Sequence, residues 1–202
     1  MPMHGYLTPS TFADLMTNGR GTDTFGASAQ TVIDKLAMDL IGVRPTDECM
    51  QTFPPLSCKW GLENEWEAVK AYEERMFCEV IRPEFRTSPT HPYVGGTADG
   101  LVGKHGGIEI KCPYNPAEHM ENILTGKQVK QYIYQMQGYI HIYGLDWIDF
   151  VSFDPRYEDA ERLYTQRVYR DDEMIGSILN RCAQAYILAC SKAELVRRRL
   201  SA

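Results

Sequence analysis

The chain has 202 residues, of which 44% are hydrophobic and 24% are charged, and its net charge is −6. This length allows one domain with a substantial core, over residues 1–202, and the composition is that of an ordinary globular protein. No run approaches the roughly 18 apolar residues of a membrane span, and no signal pattern opens the chain, so we expect a cytoplasmic protein without a membrane partner. The acidic balance leaves a nucleic-acid partner open, because basic residues can be confined to a groove.

The first part of the chain is predicted to be helical. Thr8-Pro9-Ser10 indicates a helix start, because proline is tolerated in the first turn and a hydroxyl group can cap it. A loop is predicted over residues 19–26. A second helix is predicted over residues 27–41, ending at Gly42.

A long helix is predicted over residues 61–77. Its apolar positions recur at steps of three and four, the spacing of one helical face. They are Leu62, Val69, Tyr72 and Met76. Glu65 falls on the same stripe, where it needs a partner because burying an unpaired charge is costly. A bound cation and a salt bridge are both open as that partner.

Residues 80–110 are predicted to form a strand meander that leads into the central sheet. Asp99 and Glu109 lie ten residues apart, and glycines at positions 100, 103, 106 and 107 favour a tight return between them. Residues two apart in a strand share a face, so Glu109 and Lys111 point the same way. Ile108 and Ile110 then point into the core.

This hairpin carries the strongest chemical signal in the sequence. Two carboxylates on adjacent strands suit Mg²⁺, which prefers oxygen ligands and keeps several waters. A lysine beside them can orient or deprotonate one of those waters, and such a group is equipped to hydrolyse a phosphodiester bond. A second interpretation stays open at this point, because Glu109 and Lys111 also suit a plain hairpin whose charged side chains face solvent.

The rest of the chain alternates helices and strands. We predict a helix over residues 127–143, strands over 146–154 and 164–169, and a closing helix over 171–200. Gln128, Gln131 and Gln135 are spaced by three and four residues and are predicted to line one face of the first of these helices.

The order of these elements resembles the PD-(D/E)xK nuclease superfamily: a helix with a glutamate, a strand with an aspartate, a strand with E-x-K, and a helix with a glutamine. More narrowly, it resembles the lambda-exonuclease branch of viral and prophage recombination nucleases, the YqaJ-like proteins. The motifs that carry the resemblance are Gly5-Tyr6-Leu7-Thr8-Pro9-Ser10, Trp60-Gly61-x-x-x-Glu65, Thr97-Ala98-Asp99-Gly100-Leu101, Ile108-Glu109-Ile110-Lys111-Cys112-Pro113, Gln135-Met136-Gln137 and Asp154-Pro155-Arg156. The resemblance implies an α/β (α+β) fold with a central mixed β-sheet flanked by helices.

The resemblance also implies a metal site. Asp99 and Glu109 would be its principal carboxylates, and the backbone carbonyl of Ile110 would be a further ligand. Glu65 would complete the site, directly or through a water, which would supply the partner that its buried position needs. The implied cofactor is Mg²⁺, as two ions, with Mn²⁺ as a substitute.

Other residues would act on the substrate. Lys111 would position or activate the attacking water, and Gln135 would contact the scissile phosphate or steer Lys111. Ser10 and Thr97 stand where the family places hydroxyl groups near the 5′-phosphate of the DNA end. The family has a basic residue just before its N-terminal glycine, where this chain has Met3-His4, so His4 or Arg20 is expected to substitute. Ala98 replaces the proline of the superfamily motif.

The activity implied by the resemblance is that of a Mg²⁺-dependent exonuclease on linear double-stranded DNA. Members of the family digest one strand from a 5′ end, release mononucleotides and leave a 3′ overhang for a single-strand annealing protein. They work as ring-shaped homotrimers that enclose the DNA. Two alternatives stay open: a restriction- or repair-type endonuclease on the same core, and a binding module with an inactive nuclease core.

Overall fold

A computed structural model of the chain describes residues 5–20, 24–43 and 56–201, so His4 lies outside the described residues. A mixed sheet of five strands occupies the centre, beside a two-stranded ribbon. In chain order the strands are β1 (Val80–Ile81), β2 (Arg86–Thr87), β3 (Gly95–Gly96), β4 (Gly100–Val102), β5 (Gly106–Lys111), β6 (Trp147–Phe153) and β7 (Leu163–Tyr169). The helices are α1 (Phe12–Leu15), α2 (Ala27–Leu40), α3 (Leu56–Met76), α4 (Pro116–Thr125), α5 (Lys127–Gln131), α6 (Ile133–Tyr143) and α7 (Asp172–Leu200).

The order of strands across the large sheet is β1-β4-β5-β6-β7. β4 and β5 pair antiparallel, with Gly100 opposite Ile108. The turn between them passes through Gly103, whose φ of 58° is a left-handed conformation that glycine adopts without strain. β5 then pairs parallel to β6. The predicted tight return is confirmed, and it places Asp99, one residue before β4, beside β5.

Helices cover both faces of this sheet, which confirms the predicted fold class. On one face, α3 packs through Ala68, Ala71 and Tyr72 against Ile110 and Val151. On the other face, α1, α2, α6 and α7 enclose a larger apolar cluster that reaches the sheet at Ile148 and Phe150. None of the helices in the described ranges is long and apolar enough to cross a membrane.

Several predicted elements agree with the structure to within one residue. These are α2, β6, β7 and α7. At the N-terminus the chain enters α1 through a 3₁₀ turn, Pro9–Thr11, and Thr8 precedes it. The predicted start is therefore confirmed, although the Thr8 hydroxyl makes no capping hydrogen bond there.

The buried face of α3 differs from the prediction. The buried residues of this helix are Asn64, Ala68, Ala71 and Tyr72. Leu62, expected on the buried stripe, is 71% exposed, and Met76 is 39% exposed. The small alanine side chains let the helix backbone approach the sheet, so the contact face is centred on them and Leu62 turns toward solvent. Glu65 lies at the boundary of the two faces and is half-buried.

Residues 116–143 form three helices, where a single helix from residue 127 was predicted. α4 was missed, although the side chain of Asn115 caps it by accepting a hydrogen bond from the N–H of Ala117 at 3.1 Å. Gly126 ends α4 in a left-handed conformation. A break at Tyr132 separates α5 from α6.

The prediction that three glutamines line one helical face is wrong, because of this break. Gln128 on α5 contacts α4, where its side-chain oxygen accepts a hydrogen bond from Asn122 at 2.7 Å. Gln131 is exposed at the end of α5. Gln135 alone of the three reaches the hairpin that carries Glu109.

Candidate active site

A cavity of about 500 Å³ opens where α3, the β4–β5 hairpin and α6 meet. Six of the predicted site residues line it: Glu65, Asp99, Glu109, Ile110, Lys111 and Gln135. They come from α3, from the residue before β4, from β5 and from α6. The tertiary fold therefore brings them together, since only the three residues of β5 share an element.

Glu109 is fully buried in β5. Its Oε1 atom accepts hydrogen bonds from Nζ of Lys111 at 2.5 Å and from Nε2 of Gln135 at 2.7 Å. Its Oε2 atom is buried without a hydrogen-bond partner among the described residues. A solvent-facing hairpin is thus the wrong interpretation for Glu109. A buried carboxylate oxygen without a donor is uncommon, because its desolvation is uncompensated, and this oxygen is available to a ligand.

Asp99 faces β5 from the start of β4. Its Oδ2 atom accepts a hydrogen bond from the backbone N–H of Ile110 at 2.7 Å. This contact ties the carboxylate to the strand that carries Glu109 and Lys111. Ala98, which replaces the superfamily proline, is buried and leaves the aspartate in this position.

The three central ionisable groups shift one another's pKa. Burial raises the pKa of Glu109 to about 8, and the negative charge of Asp99 adds to the rise. Burial also raises the pKa of Asp99, although the charge of Lys111 opposes it. Burial alone would lower the pKa of Lys111, but the carboxylates of Glu109 and Asp99 outweigh it and raise that pKa. One ammonium group therefore faces two carboxylates, so the site is short of positive charge.

These residues fit a hard divalent cation. Mg²⁺ typically binds through one or two carboxylates and keeps several waters. Asp99 and Glu109 supply two carboxylates, and the Oε2 atom of Glu109 has no other partner. A cation between them would hold both in the charged form. Within the described ranges, no three His, Cys, Asp or Glu side chains converge closely enough to hold a metal ion.

Glu65 lines the cavity, and its carboxylate forms a salt bridge with an arginine outside the first cavity. Its Oε1 atom lies 3.5 Å from Nη2 of Arg82. Of the two partners that the sequence left open, the salt bridge is the one this structure contains. The charge of Glu65 still acts on the site, because it contributes to the raised pKa of both Asp99 and Glu109. Its role as a metal ligand stays a prediction.

Tyr132 is a cavity residue that the sequence analysis missed. It lies in the break between α5 and α6 and lines the same cavity. Nζ of Lys111 stands 4.5 Å from the centre of its ring, which is a cation–π distance. The ring and the Glu109 carboxylate hold the ammonium group from two sides. No motif marks Tyr132, because its place depends on where α6 begins.

Arg156, from the last of the motifs, connects three segments of the chain next to the site. Its guanidinium lies 4.5 Å from the ring centre of Trp60, at the start of α3. Its Nε and Nη2 atoms donate to the carboxylate of Asp154 at 2.8 and 2.7 Å. Nη2 also donates to the carbonyl oxygen of Pro113, in the loop after β5, at 3.2 Å. Arg156 thereby positions α3 and the end of β5 relative to β6.

Ser10 and Thr97 do not line the 500 Å³ cavity in the described structure. The segments that carry Ser10 and Thr97 pack against each other beside the cavity. Pro9 lies so close to Gly96 that a Cβ atom on Gly96 would be 2.8 Å from the proline ring. The Ser10 hydroxyl is exposed and lies 3.0 Å from that of Thr8. Arg20 is also exposed. Their contact with a 5′-phosphate stays a prediction.

Similarity to known proteins agrees with this geometry. The YqaJ-like viral recombinase domain matches residues 4–146 of the chain. The structure is similar to an alkaline exonuclease, LHK-Exo, from Laribacter hongkongensis, with 32% identity, a TM-score of 0.86 and coverage of 98% of this chain and 95% of that one. LHK-Exo in complex with dAMP gives the same values. A phage-related exonuclease from Haemophilus somnus 129PT shares the fold, with a TM-score of 0.74, 19% identity and 96% of each chain covered. No curated protein matches the chain in sequence.

The mixed sheet, with Asp99 at one strand and Glu109 and Lys111 on the next, is the architecture of a PD-(D/E)xK nuclease. The protein is therefore a nuclease enzyme. Because the domain model covers most of the chain, and the Laribacter enzyme is similar over nearly its whole length, the chain belongs to the YqaJ-like viral recombinase domain family and is a DNA exonuclease.

Proposed function

We propose that the chain is a Mg²⁺-dependent exonuclease that digests linear double-stranded DNA from its 5′ ends. It releases mononucleotides and leaves 3′ single-stranded overhangs for recombination by strand annealing. The observation that carries this proposal is the meeting of Asp99, Glu109 and Lys111 in one cavity, with Oε2 of Glu109 buried and unpartnered. Mononucleotide release is supported by the related Laribacter structure, which contains dAMP.

In this proposal Asp99 and Glu109 hold the metal, and the backbone carbonyl of Ile110 and Glu65 are further ligands. Bound as two ions, Mg²⁺ would neutralise charge on the attacking and leaving oxygens of an in-line displacement. Mn²⁺ is expected to substitute. The raised pKa of Glu109 supports this assignment. A carboxyl group that is hard to ionise in the metal-free protein is the one whose charged form a neighbouring cation stabilises most.

Lys111 and Gln135 would serve the reaction in different ways. Because the pKa of Lys111 is raised, its ammonium group stays protonated at neutral pH and acts as a hydrogen-bond donor that orients the attacking water. Gln135 donates to Oε1 of Glu109 and fixes the orientation of that carboxylate, so that Oε2 remains available for the metal. Ser10 and Thr97 would hold the 5′-phosphate, with Arg20 as a basic residue in the same role.

We further propose that the chain is one catalytic domain that assembles as a homotrimer around DNA and acts with a single-strand annealing protein. The net charge of −6 supports enclosure. An acidic protein gains little affinity from phosphate contacts over its whole surface, and a ring keeps hold of DNA without such a surface.

The test is digestion of linear duplex DNA labelled at either the 5′ or the 3′ end, with Mg²⁺ and with EDTA, beside a closed circular control. We expect rapid, Mg²⁺-dependent release of the 5′ label as a mononucleotide and no change in the circle. Early release of the 3′ label would reverse the proposed polarity. Nicking or linearisation of the circle would assign the site to an endonuclease.

A further inference from the structure

A second cavity, of about 170 Å³, adjoins the candidate active site. Leu62, Glu65 and Asp99 line both cavities. The other residues around the second cavity are Trp66, Val69, Val80 and Arg82. Neither these four nor Leu62 has a role in the reaction proposed above. A group bound in the second cavity would therefore lie next to the carboxylates that hold the metal.

Trp66 lines this second cavity and is 65% exposed. Leu62, one helical turn earlier, is 71% exposed. A tryptophan normally buries most of its surface, so a large aromatic ring and a leucine left exposed together indicate a contact surface. The buried face of α3 includes Ala68 and Ala71, and Leu62 and Trp66 lie outside it and face solvent.

One cation lies beside the exposed ring, and a second lines the same cavity. Nζ of Lys70 lies 5.2 Å from the centre of the Trp66 ring. Arg82 lines the cavity with a side chain that is 84% exposed and paired with Glu65. An exposed aromatic ring with basic side chains nearby is the combination with which proteins bind single-stranded nucleic acid: bases stack on the ring, and phosphates pair with the cations.

We propose that Leu62, Trp66, Lys70 and Arg82 form a stacking platform for an unpaired base of the DNA strand under digestion, next to the scissile phosphate. Stacking suits an enzyme that must accept every nucleotide, because all four bases have a π face. It also stabilises the unpaired state that a terminal nucleotide must adopt to bring its phosphate to Asp99 and Glu109. This inference rests on the proposed exonuclease function and adds the contact that holds the base.

The test uses a duplex with phosphorothioate linkages at its 5′ end, which resist cleavage, and with 2-aminopurine as the second nucleotide. Binding to the full chain with Mg²⁺ is followed by anisotropy and by 2-aminopurine fluorescence, which falls when the base stacks. We expect quenching with the unaltered protein. Trp66→Ala should abolish the quenching and weaken binding roughly tenfold, as the loss of one stacked base does. Trp66→Phe should retain most of both signals.

Tyr169→Ala is the matched control, since Tyr169 is 67% exposed on β7 and lies outside both cavities. It should bind and quench like the unaltered protein. Equal quenching and equal digestion by Trp66→Ala would overturn the platform. A changed oligomeric state of Trp66→Ala in sedimentation, with quenching intact, would overturn it too and assign Trp66 to a subunit interface. Failure of the unaltered protein to digest linear duplex would instead count against the proposed function.

Discussion

Two buried carboxylates on neighbouring strands of the sheet differ in how completely their oxygens are hydrogen-bonded. Asp149 on β6 has both oxygens occupied: Arg167 donates to Oδ1 at 2.8 Å and to Oδ2 at 2.9 Å, and the Tyr72 hydroxyl donates to Oδ2 at 2.7 Å. Glu109 on β5 receives both of its donors on Oε1 and keeps Oε2 bare. Complete pairing makes Asp149 part of the scaffold, whereas incomplete pairing leaves Glu109 ready for a ligand.

The largest expected effect is on catalytic activity, and it comes from substitutions around the incompletely paired Glu109. Asp99→Ala and Lys111→Ala should each reduce digestion of linear duplex DNA by on the order of a thousandfold, because each removes charge that acts on the transition state. Both variants should keep a native circular dichroism spectrum. Lys35→Ala, which changes an exposed lysine on α2, is the control and should digest DNA normally. Near-normal activity of either site variant would show that the site is wrongly assigned.

At the completely paired carboxylate, the expected effect is on stability. Asp149→Ala leaves the Arg167 guanidinium and the buried Tyr72 hydroxyl without their partner. The free energy of unfolding should fall by about 3 kcal/mol, as for other broken buried pairs. Urea unfolding followed by circular dichroism measures this. A loss below about 0.5 kcal/mol would mean that the pair contributes no more than a surface salt bridge does.

The ionisation of Glu109 should also make the stability of the protein depend on pH. Because the pKa of Glu109 is raised from 4.5 to about 8, the folded chain binds more protons than the unfolded chain between these values. The free energy of unfolding should therefore fall as pH rises through this range, by on the order of 5 kcal/mol in EDTA. Mg²⁺ should restore the loss at pH 8.

Glu109→Gln isolates this contribution, because glutamine does not titrate. The pKa of His141 is lowered by burial, so His141 acts in the opposite direction near pH 6.5 in both proteins and cancels in the difference. Urea unfolding in EDTA at several pH values should show a steeper fall for the unaltered protein than for Glu109→Gln. Parallel curves would contradict the raised pKa.

The smallest expected effect concerns Gln135, the uncharged residue that donates a hydrogen bond to Glu109. Gln135→Ala removes one hydrogen bond to Oε1 and leaves that of Lys111 in place. Stability should change by about 1 kcal/mol or less, and the rate of DNA digestion should fall roughly tenfold as the carboxylate loses its fixed orientation. Gln131→Ala, at the exposed end of α5, should alter neither quantity. Equal effects of the two substitutions would mean that Gln135 has no special place in the site.

The centre of the site could be predicted from sequence because it is local. The alternation of Glu109 and Lys111 with isoleucines, and the glycines that return the chain to Asp99, are visible within one short segment. The motif on α3 likewise predicted that Glu65 lies near these residues, and Glu65 lines the same cavity. Asn115 and Gly126 cap the two ends of α4, so this helix, which was not predicted, also has a local signal in the sequence.

The remaining contacts could not be predicted, because they depend on tertiary packing. The buried face of α3 is set by Ala68 and Ala71, whereas the pattern of large apolar residues predicted Leu62 on that face. The pairing of Glu65 with Arg82 joins a helix to the segment after β1, and no local pattern records it. Tyr132 meets Lys111 only because the helix breaks at that residue.

The hydrogen bond from the backbone of Ile110 to Asp99 spans only eleven residues. Closing so short a loop costs little chain entropy, so the two carboxylates meet whenever β4 pairs with β5. Gln135 reaches the same point across 26 residues, and only through the packing of α6. Substitutions that loosen the packing of α6 should therefore lower the activity gradually, whereas substitutions that disrupt the β4–β5 hairpin should abolish it.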